Sequence, residues 1–166
     1  MVITTTTTSV SVHTISFRGI AGSIFVALTL AILLYVIGFA TTAWSINGAY
    51  REGLWENCRC GKIGDAQDWF HAVQAMITIG LIGLILAFLL VCIYMCVHSL
   101  SKNKTLIALV IVCFLSVVFM VIGFIIYGSK RDGLHWSFAV TVISSILCLV
   151  AGILSVVQMR QSGVRM

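Results

Sequence analysis

The sequence predicts an all-α membrane protein, a four-helix transmembrane bundle, on three observations. Hydrophobic residues make up 60% of the 166 and charged residues only 9%, against roughly half and a quarter in soluble domains. The apolar residues fall into four long uncharged runs, at 20–43, 72–97, 106–127 and 136–157, and the chain contains no proline. A soluble fold this small leaves too much of its chain exposed to hide so much apolar surface, so a bilayer is the expected solvent. In lipid every backbone group must be paired internally, and a helix does this without a neighbour. A β-barrel would instead show alternation over about ten residues, which the runs lack.

Taken in order, residues 1–16 are polar, with the threonine run Thr4–Thr8 and no apolar period. They read as a flexible tail, with a modification target as the competing reading. Arg18 and Gly19 precede the first run. At about 24 residues it is long enough to cross the hydrocarbon with some tilt, and too long for the roughly 7–15-residue core of a signal peptide. The second run opens at Phe70 with amphipathic residues and is wholly apolar by Ile77. A short basic connector (98–105), the third run, a polar turn (128–135), the fourth run and a basic tail (158–166) follow. Connectors this short make successive helices antiparallel neighbours and put both termini on one side. The whole chain, 1–166, reads as a single four-span domain. The positive-inside rule does not orient it. Arg18, Lys102, Lys104, Arg160 and Arg165 on one side balance Arg51, Arg59, Lys62, Lys130 and Arg131 on the other.

Composition also excludes functions. The net charge of +5 is scattered, whereas a nucleic-acid partner needs a clustered basic face. No ionisable residue lies inside a run, which argues against transporters, pumps and voltage sensors and against an intramembrane protease, which needs a polar nucleophile and base. His13, His71, His98 and His135 have no partners at ligand spacing. No catalytic residue, metal or cofactor is expected, and no enzyme. Helix packing in lipid needs small residues. Ser144, Cys148 and Gly152 recur every fourth residue and form a candidate helix-contact face, either within the bundle or for another membrane protein. Ala151 and Ser155, Gly19 and Gly22, Ala27 and Ala31, and Gly80 and Gly83 are similar pairs. The expected partners are membrane lipids and other membrane proteins.

The polar interval from Trp44 to Met76 holds four of the five acids and three of the four tryptophans. Trp44 ends one run and Trp69 begins the next, so both rings are expected at the headgroup–water border. Leu54 and Trp55 would be costly to expose together, so they are expected to plug onto the helix ends or the lipid surface, with Gly53 supplying the backbone freedom to bring them there. Cys58 and Cys60 form a candidate disulfide if the loop is extracellular, worth roughly 1–2 kcal/mol for so small a ring before strain. Free thiols and pairing with a partner stay open. A C-x-C pair lacks the second ligand pair that zinc requires. Cys92 and Cys96, one turn apart near a span end, are candidate palmitoylation sites or buried space-fillers. Cys113 and Cys148 read as small core residues.

Trp44, Gly53-Leu54-Trp55, Cys58 three positions after Trp55, and Cys60 together resemble the first extracellular loop of the claudin / peripheral myelin protein / epithelial membrane protein superfamily, whose signature is W…GLW…C…C. The segment Asp68-Trp69-Phe70-His71-Ala72-Val73-Gln74-Ala75-Met76 resembles the entry to the second helix in the myelin and epithelial membrane protein branch. With four spans in order, the likeness covers about 18–160. The chain departs from the family in the closeness of its two loop cysteines, in its shorter loop, and in Gln74 and Ala75 standing where claudins carry a basic residue. The resemblance implies a small extracellular antiparallel β-sheet in the first outer loop, 44–71. It further implies a second outer loop at 128–135, an inner loop at 98–105 and cytosolic tails at 1–19 and 158–166. The sequon at Asn103 would then be cytosolic and carry no glycan. The implied setting is the plasma membrane at cell–cell junctions. There a claudin-like, non-catalytic protein acts by lateral and loop contacts with copies of itself or claudin-like partners. The alternative is an auxiliary subunit of an ion channel or receptor. The carboxyl end, Val164-Arg165-Met166, is a weak candidate for a peptide-binding groove.

Overall fold

The computed structural model describes residues 19–47, 50–57, 61–62, 68–96 and 102–161. Cys58 and Cys60, and with them the candidate disulfide, lie outside these residues. Four helices are long and apolar enough to cross a membrane: α1 (Ile20–Ala40), α2 (Asp68–Cys96), α3 (Lys102–Lys130) and α4 (Trp136–Gln161). Between α1 and α2 lie four short strands, β1 (Ser45–Asn47), β2 (Tyr50–Glu52), β3 (Glu56–Asn57) and β4 (Gly61–Lys62). They pair in sequence order as an antiparallel sheet.

All four helices differ in length from their apolar runs: α2 begins four residues before residue 72, at Asp68, and α4 runs four residues past 157, to Gln161, while α1 and α3 differ for local reasons. α1 stops at Ala40, short of residue 43. Thr41 turns extended there, and its hydroxyl is shared between the Ile37 carbonyl and the Ser137 hydroxyl at 2.8 Å each. That satisfies a carbonyl the helix end leaves orphaned. α3 is longer than its apolar run at both ends, absorbing Lys102–Thr105 and Gly128–Lys130 into helix. At 1.5 Å per residue α1 is about 31 Å long and α2 and α3 about 43 Å. The hydrocarbon core of a bilayer is about 30 Å, so α2 and α3 have turns to spare beyond it.

The helices form a ring in which α2 packs most extensively on α3 and α1 on α4, with α3–α4 and α1–α2 contacts closing it. Partner numbers rise on one helix as they fall on the next, so every neighbouring pair is antiparallel. Phe25 meets Phe88 while Tyr35 bonds the Ile77 carbonyl at 2.8 Å. Likewise Cys148 reaches the Cys113 carbonyl while Phe138 meets Phe124.

Small and hydroxyl-bearing residues make the close approaches. Ser144, Cys148 and Gly152 are buried and face this chain's own helices. Ser144 donates to the Ala31 carbonyl on α1 at 2.6 Å. The Cys148 thiol points at the Cys113 carbonyl on α3 at 3.9 Å. A Cβ on Gly152 would lie 3.2 Å from Cys113 Cβ. Bonds of this kind are worth about 0.6 kcal/mol each between helices in lipid. Outward, large apolar side chains such as Leu33, Ile82, Leu89, Leu115, Ile125 and Ile146 are exposed on all four helices. Soluble monomers rarely expose contiguous apolar patches larger than a few hundred Å²; a bilayer accommodates this surface.

Candidate functional site

The sheet and the α3–α4 connection sit together at one end of the bundle and are stitched into one cap. β1 and β2 pair in the register Ser45↔Glu52, Ile46↔Arg51 and Asn47↔Tyr50. The other edge of β1 takes an antiparallel bridge between Ser45 and Leu134. The Ile46 amide donates to the Gly133 carbonyl at 3.1 Å, and the Ser45 hydroxyl donates to the Asp132 carbonyl at 2.8 Å. Gly133 has a φ of 71°, a left-handed value that only glycine adopts without penalty. The Asp132-Gly133 step thus turns the chain so that its carbonyls face the sheet edge.

Trp44 is where the cap meets the bundle. Its ring, expected at the headgroup–water border, is fully buried within the protein. Its indole N–H donates to the Gly38 carbonyl at 2.6 Å, filling another orphan acceptor at the end of α1. Its amide donates to the Glu52 carbonyl at 3.0 Å, and its carbonyl accepts the His135 amide at 2.9 Å. The ring stands edge-on to Tyr127 of α3 and Phe138 of α4, at 5.2 and 5.7 Å between centroids. One residue therefore joins α1, β2, α3 and the start of α4. A tryptophan beside a span end has two ways to satisfy an apolar body and a polar N–H, at the lipid border or over a bare helix carbonyl. This one takes the second.

The Gly53-Leu54-Trp55 turn is docked on the same end. Leu54 is fully buried, whereas Trp55 is 42% exposed and packs edge-on against Phe39 at 5.3 Å. The Leu54 carbonyl accepts the Gln74 side-chain amide at 2.8 Å. The Gly53 amide donates to the Glu56 carbonyl at 2.9 Å, closing the turn. Gly53 is there for a reason other than the expected one. Its φ is not positive; rather, a Cβ would fall 2.6 Å from Thr42 Cα and 2.8 Å from the Thr41 carbonyl. The turn needs the missing side chain, not the extra backbone angle.

Beside these sits a charged pair that sequence reading did not single out. Arg131 Nη2 meets Glu52 Oε1 at 2.9 Å, and the guanidinium lies over the Trp69 ring at 5.4 Å. Trp69 is half-buried. The side chain of Glu52 is 8% exposed and that of Arg131 40%. The pair spans 79 residues of sequence, so no local pattern announces it. The bond from Gln74 to the Leu54 carbonyl, 20 residues away, goes unannounced for the same reason.

The burial asymmetry carries a prediction. Arg131→Ala strands a nearly buried carboxylate and removes a cation–π contact worth about 0.5–1 kcal/mol. We expect a loss of about 1–2 kcal/mol, between that of an exposed and a buried pair. Glu52→Gln leaves behind a cation whose side chain is 40% exposed, and costs less. Thermal unfolding of both variants in detergent measures the difference.

The remaining candidates lie elsewhere. Cys92 is half-buried and Cys96 exposed at the far end of α2, both as free thiols, while Cys113 and Cys148 are buried. Among the described residues no three His, Cys, Asp or Glu side chains are grouped so as to hold a metal. Geometrically the chain is a four-helix bundle, compatible with a membrane, whose two connections at one end are fused into a small sheet-bearing cap. No protein-family model matches it and no curated protein matches it.

Proposed function

We propose that this chain is a non-catalytic plasma-membrane protein similar to the claudin and epithelial membrane proteins. Its cap faces outward, both termini are cytosolic, and it works by contact at cell–cell junctions. The observation that carries this reading is the division of labour within the W…GLW motif. Trp44, Gly53 and Leu54 are consumed in holding the cap to the bundle, while Trp55, Arg51 and Glu56 stay exposed. The motif thus supports a presented surface rather than a reaction centre, and an exposed aromatic among charges is the usual composition of a binding anchor. The apolar outer faces of the helices supply a second surface, for lipid and for lateral partners.

An auxiliary role beside an ion channel or receptor is the second reading. Strands of two and three residues leave little cap surface with which to line a pore between cells.

The test is expression of a tagged chain in cells that make contacts. Enrichment at contacting edges, lost in Trp55→Ser with surface level and melting temperature unchanged, supports the junctional reading. Uniform distribution with fixed-stoichiometry recovery of a channel in mild detergent supports the second. An impermeant thiol reagent applied after gentle reduction should label Cys58 and Cys60 on intact cells. Labelling only after lysis would invert the topology and remove the proposal.

A further inference from the structure

Two buried polar atoms at the cap have no hydrogen-bond partner among the described residues: the Tyr127 hydroxyl and Arg131 Nε. They are neighbours. The Arg131 amide donates to the Tyr127 carbonyl at 3.1 Å, so the last turn of α3 carries on to Arg131 and puts the two side chains on one face, four residues apart. Aromatic rings surround them. Trp44 lies edge-on to Tyr127 at 5.2 Å, Phe70 lies 6.3 Å from it, and Trp69 sits under the guanidinium. Glu52, already bonded to Arg131 Nη2, closes the group and lies within electrostatic reach of the Tyr127 hydroxyl.

Leaving a buried hydroxyl and a buried guanidinium N–H unpaired costs about 1–3 kcal/mol each, and native interiors rarely contain such pairs. The chemistry of the three groups selects what satisfies them. Two are donors, so the occupant accepts. The third is a carboxylate, so the occupant also donates. The adjoining carboxylate disfavours an anion and the guanidinium disfavours a cation. A neutral molecule that accepts two hydrogen bonds and donates one or two is water, and buried waters make about three bonds of this kind.

We propose that a single structural water is bound between the Tyr127 hydroxyl, Arg131 Nε and the Glu52 carboxylate, and that it ties the end of α3 to the sheet. It extends the Glu52–Arg131 ion pair into a network that holds the first connection against the second. Its position, under an aromatic wall at the edge of the cap, gives the cap a wet joint on top of a dry bundle.

Tyr127→Phe separates this from a bare hydroxyl by sign. If the hydroxyl holds the water, its removal leaves a trapped water short of a partner, and the melting temperature in detergent falls by about 2–4 °C. If the hydroxyl is unpaired, phenylalanine removes a burden, and the melting temperature stays or rises, which overturns the proposal. The second measurement is independent of any variant. A high-resolution experimental structure of the full wild-type chain should show a solvent peak within hydrogen-bond distance of both Tyr127 Oη and Arg131 Nε. A clear view of both atoms without that peak, or with a side chain from residues 58–67 in its place, also overturns it.

Discussion

Trp44→Ala is expected to cost about 3–5 kcal/mol, the range for deleting a buried aromatic. Here the loss extends past the cavity. The indole N–H that meets Gly38 is gone, so that carbonyl keeps only the longer bond from the Thr41 hydroxyl at 3.3 Å, and the rings of Tyr127 and Phe138 lose their shared neighbour. The backbone bonds from Trp44 to Glu52 and His135 then hang on a segment that has lost its one buried ring. The cap should loosen while much of the bundle stays helical. Circular dichroism in detergent would show helix content retained, and limited proteolysis would show new cleavage between residues 44 and 67. Trp44→Phe divides the effect. It keeps most of the ring and loses one hydrogen bond to an acceptor that Thr41 still reaches, so it should cost about 0.5–1.5 kcal/mol. A Trp44→Ala protein as stable as the parent, with an uncleaved cap, would refute the placement of Trp44 as the joint.

Gly53→Ala is the second large effect, and it arises from a single methyl group. That methyl would lie 2.6 Å from Thr42 Cα and 2.8 Å from the Thr41 carbonyl. Both are backbone atoms of the segment that ends α1, so neither can rotate away as a side chain would. Overpacking typically costs about 1–3 kcal/mol, occasionally more, and a clash with backbone belongs at the top of that range. Relief requires the Gly53-Leu54-Trp55 turn to lift, drawing Leu54 out of its buried site and its carbonyl away from Gln74. Gly128→Ala is the matched control. Its Cβ would find only Leu134 Cδ1, at 3.9 Å. It lies within α3, so helix propensity should leave stability unchanged or raise it by up to about 1 kcal/mol. Melting curves of the two variants should therefore move apart. If both move alike, Gly53 is not a close-approach site.

Much of the architecture is legible in the sequence because its causes are local or compositional. Run length sets how many helices there are, and connector length makes them antiparallel. The four-residue recurrence of Ser144, Cys148 and Gly152 marks a face that the structure brings against α1 and α3. The W…GLW pattern marks the interval on which the cap is built. The ends of the helices were less legible. Thr41 closes α1 early, and Trp44 three residues on takes the Gly38 carbonyl; Lys102–Thr105 join α3 because nothing in them forbids a helix.

The site itself divides along the same line. Trp44, Gly53 and Leu54 could be singled out as residues, but their roles could not. A tryptophan at a span end looks the same whether its N–H goes to a headgroup or to Gly38, and a glycine looks the same whether it is needed for an angle or for a gap. The roles of Glu52, Gln74 and Arg131 carried no signal, because each acts through a partner far away in the chain.

Hydrophobic length and period therefore suffice to specify four rods, their alternating directions and the polar stretch between the first two. These are properties of a few adjacent residues and of the solvent around them. Only the folded chain decides that the first and last connections merge into one cap, with Trp44 inside it and Trp55 outside. That outcome depends on which groups from opposite ends of the sequence arrive within bonding distance, and such a meeting is a property of three-dimensional packing that no short window of residues encodes.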